Sequence, residues 1–173
     1  YDVKELAGGL HDPMEIAVAP DERVFILERK GALKLYNPKN GSTEKIHQFK
    51  VMCAENGPDK GSYAREFGGL GITLDPDFMS NNFLYVYYSI FDRDVSRLAR
   101  FTFKDGKLTD EKSILEIPAE RGKRTCHEAG SLTFGKGRQL FLSTGDNTCP
   151  FESNGYSPID ERKDRIEFDA QRS

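Results

Sequence analysis

The chain has 173 residues, of which 37% are hydrophobic and 31% are charged, so it can form a domain with a core. Its formal net charge is −3 and its acidic and basic residues are interspersed, which argues against a nucleic-acid-binding face. No apolar run approaches the roughly 20 residues that a membrane-spanning helix needs.

The N-terminal part of the chain has the pattern of a β-meander. Residues 15–19, 24–28 and 32–36 alternate apolar and polar side chains and are rich in β-branched and aromatic types. Turn-forming residues separate them, including Pro20-Asp21 and Lys30-Gly31. These features predict three antiparallel strands.

The same order of strands and turns recurs twice. Residues 71–78, 83–88 and 98–103 repeat it, and residues 131–137 and 139–144 begin it again. Pro20 and Pro76 fall at the same turn of successive repeats. Their separation makes the repeat somewhat longer than a typical propeller blade, which has about 40–50 residues. The pattern therefore predicts an all-β fold of about three blades, at residues 1–55, 56–120 and 121–173. The alternative is a sandwich of three unrelated meanders.

Three blades cannot close a propeller, since closure takes roughly 4 to 8. We therefore expect the chain to be part of a larger propeller, completed by further sequence or by a second chain. Three aspartates (Asp21, Asp75 and Asp77) flank turn prolines and are expected to act in turns. Tyr85, Tyr87 and Phe141 follow the strand period and are expected to pack in the core or between blades.

The three cysteines, Cys53, Cys126 and Cys149, fit no zinc spacing, and their odd number leaves one outside any internal disulfide. Cys126-His127 lacks the first cysteine of a c-type haem motif, because Lys123 stands there. The sequence therefore predicts neither a zinc site nor haem attachment, and the pairing of the cysteines stays open.

A histidine and an aspartate stand at the ends of two neighbouring predicted strands. His127 precedes the first strand of the third repeat, and Asp146 follows the second. A tight antiparallel hairpin brings such ends together, and a histidine with an orienting carboxylate is a common general base. The alternative is a solvated loop histidine and a turn aspartate.

The chain resembles the glucose/sorbosone dehydrogenase family, six-bladed propellers that use pyrroloquinoline quinone (PQQ). The resemblance covers nearly the whole chain apart from an insertion near residues 53–64, and its last segment is similar to the sorbosone-dehydrogenase-like branch. The segments that carry it are residues 12–18, 28–31, 69–78, 127–132, 142–147 and 154–162.

The resemblance implies a mechanism and the residues that perform it. The family's catalytic histidine opens an H-x-x-G-x-L pattern, which His127 matches with Gly130 and Leu132 in register. The family's partner carboxylate corresponds to Asp146. His127 would take a proton from a sugar hydroxyl while hydride passes to PQQ, and Asp146 would orient the imidazole.

The resemblance also suggests residues at the cofactor. A family glutamine near the quinone corresponds here to Glu66, whose carboxylate would repel an anionic quinone unless calcium or an arginine neutralised it. A basic segment at residues 121–124 precedes His127, so Arg124 is a candidate contact for the cofactor, the alternative being a solvated loop. The family's cationic clamp and calcium ligands lie in later blades, so Ca²⁺ ligands are expected outside this chain.

Family context implies a periplasmic or extracellular protein, a sugar-like substrate and an external electron acceptor. No signal peptide is visible at the start of the chain. A propeller that binds carbohydrate or mediates assembly without turnover is the alternative function. In either case this segment alone is expected to be inactive.

Overall fold

The computed structural model describes residues 1–53, 66–119 and 127–145. Regular structure in these residues consists almost entirely of antiparallel strands, grouped into two four-stranded sheets and one two-stranded sheet. The elements in chain order are β1 (Pro13–Val18), β2 (Val24–Glu28), β3 (Ala32–Asn37), β4 (Ser42–Gln48), β5 (Gly69–Leu74), α1 (Phe78–Asn81), β6 (Phe83–Ser89), β7 (Val95–Lys104), β8 (Lys107–Pro118), β9 (Leu132–Phe134) and β10 (Leu140–Leu142).

The first sheet is a simple meander in the order β1-β2-β3-β4. Its β2–β3 turn closes with a bond from the Gly31 amide to the Glu28 carbonyl at 2.9 Å. Gly31 has φ +87°, and an added Cβ would overlap the carbonyl oxygen of Phe49, so this turn requires glycine. The meander predicted for residues 15–36 is confirmed, with β4 as an additional outer strand.

The second sheet repeats this topology in the order β5-β6-β7-β8. The β5–β6 connection contains the short helix α1, which ends at Asn82 in the left-handed conformation with φ +57°. Asparagine tolerates that conformation better than most residues. The β6 and β7 strands lie close to the predicted segments, whereas α1 and the long outer strand β8 were not predicted.

The third sheet is the hairpin β9–β10, with Leu132 paired to Leu142. The Gly135 amide donates to the Gln139 carbonyl at 2.9 Å and closes its turn. Both strands lie within the segments predicted to begin the third repeat.

The sheets stack in chain order, and an apolar core separates each sheet from the next. Between the first and second sheets, Phe25 makes edge-to-face contacts with Phe78 and Phe103 at centroid distances of 5.5 and 5.2 Å. The core between the second and third sheets contains Leu70, Tyr87, Leu98 and Leu132. Face-to-face stacking of consecutive sheets, with β5 contacting both β1 and β9, is the arrangement of propeller blades.

The chain therefore forms consecutive blades of a β-propeller, as predicted. Two blades have four strands each, and the third is described as far as its first hairpin. The proposed blade limits near residues 55 and 120 fall in or beside segments outside the described residues, so the limits stay a prediction.

Candidate active site

One end of the stacked sheets gathers the segments that carry the predicted site. The Gly69 amide, at the start of β5, donates to the carbonyl of Arg29 just after β2 at 2.8 Å. The Ser143 amide, just after β10, donates to the carbonyl of Ser131 just before β9 at 3.1 Å. We call this end the His127 rim; it comprises residues 28–29, 66–69, 127–131 and 142–145.

His127 lies on this rim, half-buried, in a strained backbone conformation. Its φ is +60°, in the left-handed region that non-glycine residues seldom adopt. Gly145 lies directly against it, because a Cβ added at Gly145 would overlap the carbonyl oxygen of His127. Asp146 itself is outside the described residues. The backbone that leads into Asp146 is nevertheless adjacent to His127, so the predicted pair stays a prediction that the local geometry supports.

Glu66 also belongs to the His127 rim. Its Oε2 accepts a hydrogen bond from the backbone amide of Glu128 at 3.1 Å, across 62 positions of sequence. The structure thus brings two of the predicted site residues, Glu66 and His127, to the same place. A contact between Glu66 and a cofactor stays a prediction, as does the role of Arg124, which is outside the described residues.

Glu128 is a rim residue that the sequence analysis did not identify. Its Oε2 accepts a hydrogen bond from the hydroxyl of Ser96 on β7 at 3.4 Å. The Ser96 hydroxyl is in turn 3.3 Å from that of Ser89 on β6, and both serines are fully buried. The residue after His127 is therefore anchored into the second sheet. The only sequence feature that marks Glu128 is its position between the histidine and the glycine of the H-x-x-G pattern.

The glycine and leucine of the same pattern have a packing role. An added Cβ at Gly130 would overlap the ring of Tyr87 and contact Leu70, both of which are buried. Leu132 is 5% exposed and lies in the core between the second and third sheets. These two residues pack the segment that carries His127 against the second sheet.

Arg29 supplies positive charge to the rim. Its Nη2 pairs with Asp12 Oδ2 at 2.7 Å, while its Nη1 is buried and has no hydrogen-bond partner among the described residues. Gly68, with φ +141°, lies so close that an added Cβ would overlap the Arg29 carbonyl oxygen. A buried guanidinium nitrogen without an acceptor suits an anionic ligand that offers a carboxylate oxygen. The sequence analysis included Arg29 in a family-like segment but assigned it no role.

Glu15 links the first strands of all three sheets. Its Oε2 accepts the Ile72 amide of β5 at 2.7 Å, and its Oε1 accepts the hydroxyl of Ser131 before β9. A cavity of about 380 Å³ adjoins these strands; its lining includes Glu15, Val18, Thr73 and Leu132. Glu15 thus fixes the relative positions of the strands that carry the rim.

The turn aspartates lie at the opposite end of the strands. Asp75 accepts hydrogen bonds from the Asp77 amide, from Asn81 and from Tyr85 at 2.9, 2.8 and 3.0 Å. Burial alone would raise the pKa of the Asp75 carboxyl group, but these bonds and the charge of Arg138 hold that pKa below its usual value. Asp21 binds Arg23 in its own turn at 2.8 Å. The predicted turn role of these aspartates agrees with these contacts.

Within the described residues, no group of three or more histidine, cysteine, aspartate or glutamate side chains could hold a metal ion. Cys53 is buried, whereas Cys126 and Cys149 are outside the described residues. No helix in the described part of the chain is long and apolar enough to cross a bilayer.

Comparison with known proteins identifies similar sequences and folds. The sequence profile of the glucose/sorbosone dehydrogenase family matches residues 10–157. Quinoprotein glucose dehydrogenase B of Acinetobacter calcoaceticus is 24% identical over 84% of this chain and 31% of its own length. An uncharacterised protein of Synechocystis is 29% identical over 94% of this chain and 38% of its own length. The chain therefore spans about a third of the length of these relatives.

A solved structure shows the same fold. The PQQ-bound aldose sugar dehydrogenase of Streptomyces coelicolor superposes with a TM-score of 0.66 at 21% sequence identity. The match covers 88% of this chain and 43% of that protein.

Proposed function

Because the chain belongs to the glucose/sorbosone dehydrogenase family, we propose that the whole protein is a quinone-dependent oxidoreductase that oxidises a sugar or a related alcohol or aldose. The observation that carries this proposal is the geometry of the His127 rim. His127, the backbone entering Asp146, and Glu66 meet at one end of the sheets.

In this proposal His127 is the general base. Its imidazole takes the proton of a substrate hydroxyl, and Asp146 holds the other ring nitrogen and stabilises the protonated ring. PQQ, when bound, supplies the acceptor for the hydride that leaves the same carbon. A positioned base of this kind contributes a factor of roughly 100 to 10,000 in rate.

Two arginines support the proposal of an anionic quinone at the rim. The buried Nη1 of Arg29, which has no acceptor among the described residues, would offer a donor for a quinone carboxylate, and Arg124 would add a second cation. The Glu66 carboxylate already accepts the Glu128 amide, which offsets part of its charge. We propose that calcium, bound by ligands outside this chain, supplies the remaining positive charge.

The protein would then work with a sugar-like substrate and an external electron acceptor in the periplasm or outside the cell. Further sequence or a second chain would supply the remaining blades. A propeller that binds carbohydrate or assembles with other proteins without turnover is the competing function, and the carboxylate of Glu66 where the family has glutamine is the observation that favours it.

Reduction of a redox dye by the whole protein tests the proposal. The protein would be loaded with PQQ and Ca²⁺ and supplied with a panel of aldoses, with matched samples lacking sugar, lacking PQQ or containing a chelator. We expect dye reduction that requires both sugar and quinone and that the chelator removes. Absence of reduction together with absence of PQQ binding would refute the proposal and support the binding module.

A further inference from the structure

The backbone of His127 needs an external constraint to keep its conformation. A left-handed conformation is unfavourable for a non-glycine residue, and such a conformation persists only where the surroundings fix it. In the described structure, the contacts beside this residue centre on the peptide unit that joins His127 to Glu128.

Both polar groups of this peptide unit are in contact with other segments. Its N–H, which belongs to Glu128, donates to Glu66 Oε2 at 3.1 Å. Its carbonyl, which belongs to His127, lies against Gly145. Since the peptide unit is planar, the bond to its N–H and the contact at its carbonyl together restrict rotation about ψ of His127, and this limits the directions open to the imidazole.

The side chain of Glu128 adds a third anchor. Its hydrogen bond from Ser96 ties the residue to β7, so Glu128 cannot rotate away without losing that bond. Of the three anchors, Glu66 alone reaches the backbone of the turn through a side chain. Substitution of Glu66 therefore removes an anchor of the His127 backbone without changing residues 127–131 themselves.

We propose that Glu66 is a positioning residue for His127: its carboxylate oxygen holds the His127–Glu128 peptide and thereby sets the orientation of the imidazole. This inference rests on the proposed function for the catalytic importance of that orientation, whereas the orientation itself is a property of this chain. It differs from the cofactor contact that the family resemblance implies for Glu66.

The two roles of Glu66 give different results on substitution. If Glu66 acts as a hydrogen-bond acceptor, Glu66→Gln keeps an oxygen at the same reach and preserves the turn, whereas Glu66→Ala removes it. If Glu66 acts through its charge, Glu66→Gln and Glu66→Ala both remove that charge and change the protein alike.

Two measurements on the whole protein separate these outcomes. The first is the NMR titration of the His127 ring without quinone, with its signals assigned by their loss in His127→Ala. The second is kcat and KM with PQQ and sugar. We expect Glu66→Gln to keep the His127 ring signals close to those of the wild type. We expect Glu66→Ala to move the ring signals and to lower kcat roughly 10- to 100-fold with little change in KM, since misplacing a catalytic group by about 1 Å can cost that much.

Glu44→Ala serves as the matched control, because Glu44 is an exposed glutamate on the outer strand β4. If Glu66→Ala does not fold, as judged by circular dichroism, Glu66→Ser replaces it, since its shorter side chain cannot reach the Glu128 amide. Equal changes in Glu66→Gln and Glu66→Ala, or unchanged His127 signals in Glu66→Ala, would overturn the inference. The NMR result stands even if the whole protein shows no sugar oxidation, so failure of the proposed function is distinguished from failure of this inference.

Discussion

At the scale of single residues, the H-x-x-G-x-L pattern contains two kinds of residue. Packing requires the residue types at Gly130 and Leu132. Gly130 lies against the buried ring of Tyr87, and Leu132 lies in the core between the second and third sheets. His127 has a left-handed backbone conformation, and the peptide that follows it donates a hydrogen bond to Glu66. The glycine and the leucine thus place the segment, and the histidine is presented at the rim.

The packing role of Gly130 predicts that Gly130→Ala destabilises the protein. The added methyl group would overlap the Tyr87 ring, which is 2% exposed and cannot move aside. Overpacking of this kind costs typically about 1–3 kcal/mol of unfolding free energy. Denaturant unfolding of the whole protein would measure it. Gly8→Ala is the control, because an added Cβ there meets only the end of the flexible Glu5 side chain; equal stability of the two variants would contradict the assignment.

At the scale of elements, the rim depends on contacts between first strands of neighbouring sheets. Glu15 on β1 makes two of them, one to the Ile72 amide of β5 and one to Ser131 before β9. Because Ile72 is 1% exposed, its amide cannot turn to water for a replacement acceptor.

We therefore expect Glu15→Ala to lower the unfolding free energy by about 1–3 kcal/mol, the cost of leaving a buried donor unsatisfied. Glu44→Ala, on the exposed face of β4, should change it by less than about 0.5 kcal/mol. Thermal and denaturant unfolding would compare the two variants. A Glu15→Ala protein as stable as Glu44→Ala would show that the link between the first strands is dispensable.

At the scale of the whole molecule, the sequence predicts the inner strands of the first two sheets better than it predicts their outer strands. Apolar residues and flanking turn residues sufficed for β1 to β3 and for β5 to β7, because these strands are short, rich in apolar side chains and bounded by turns. The outer strands β4 and β8 were not identified, since both are largely exposed and polar and lack a clear apolar alternation. Phe141, predicted to pack, is 57% exposed because no described sheet covers its face of the third hairpin.

The candidate site was predictable only in part for a related reason. His127 and Glu66 could be named from motifs, but the hydrogen bond that joins their segments spans 62 positions and leaves no local pattern. The anchoring of Glu128 by Ser96 depends likewise on the stacking of one sheet against the next. Motifs within a blade therefore gave candidate residues, and only the tertiary arrangement gave their partners.

His127→Ala in the whole protein tests whether His127 is the base of the proposed quinone-dependent sugar oxidation. PQQ binding, followed by fluorescence or calorimetry, should remain close to wild type, because the variant removes a proton acceptor and leaves Arg29 in place. Turnover of an aldose that the wild type oxidises should fall at least roughly 100-fold. A His127→Ala protein that binds PQQ and oxidises the sugar at the wild-type rate would rule out His127 as the base.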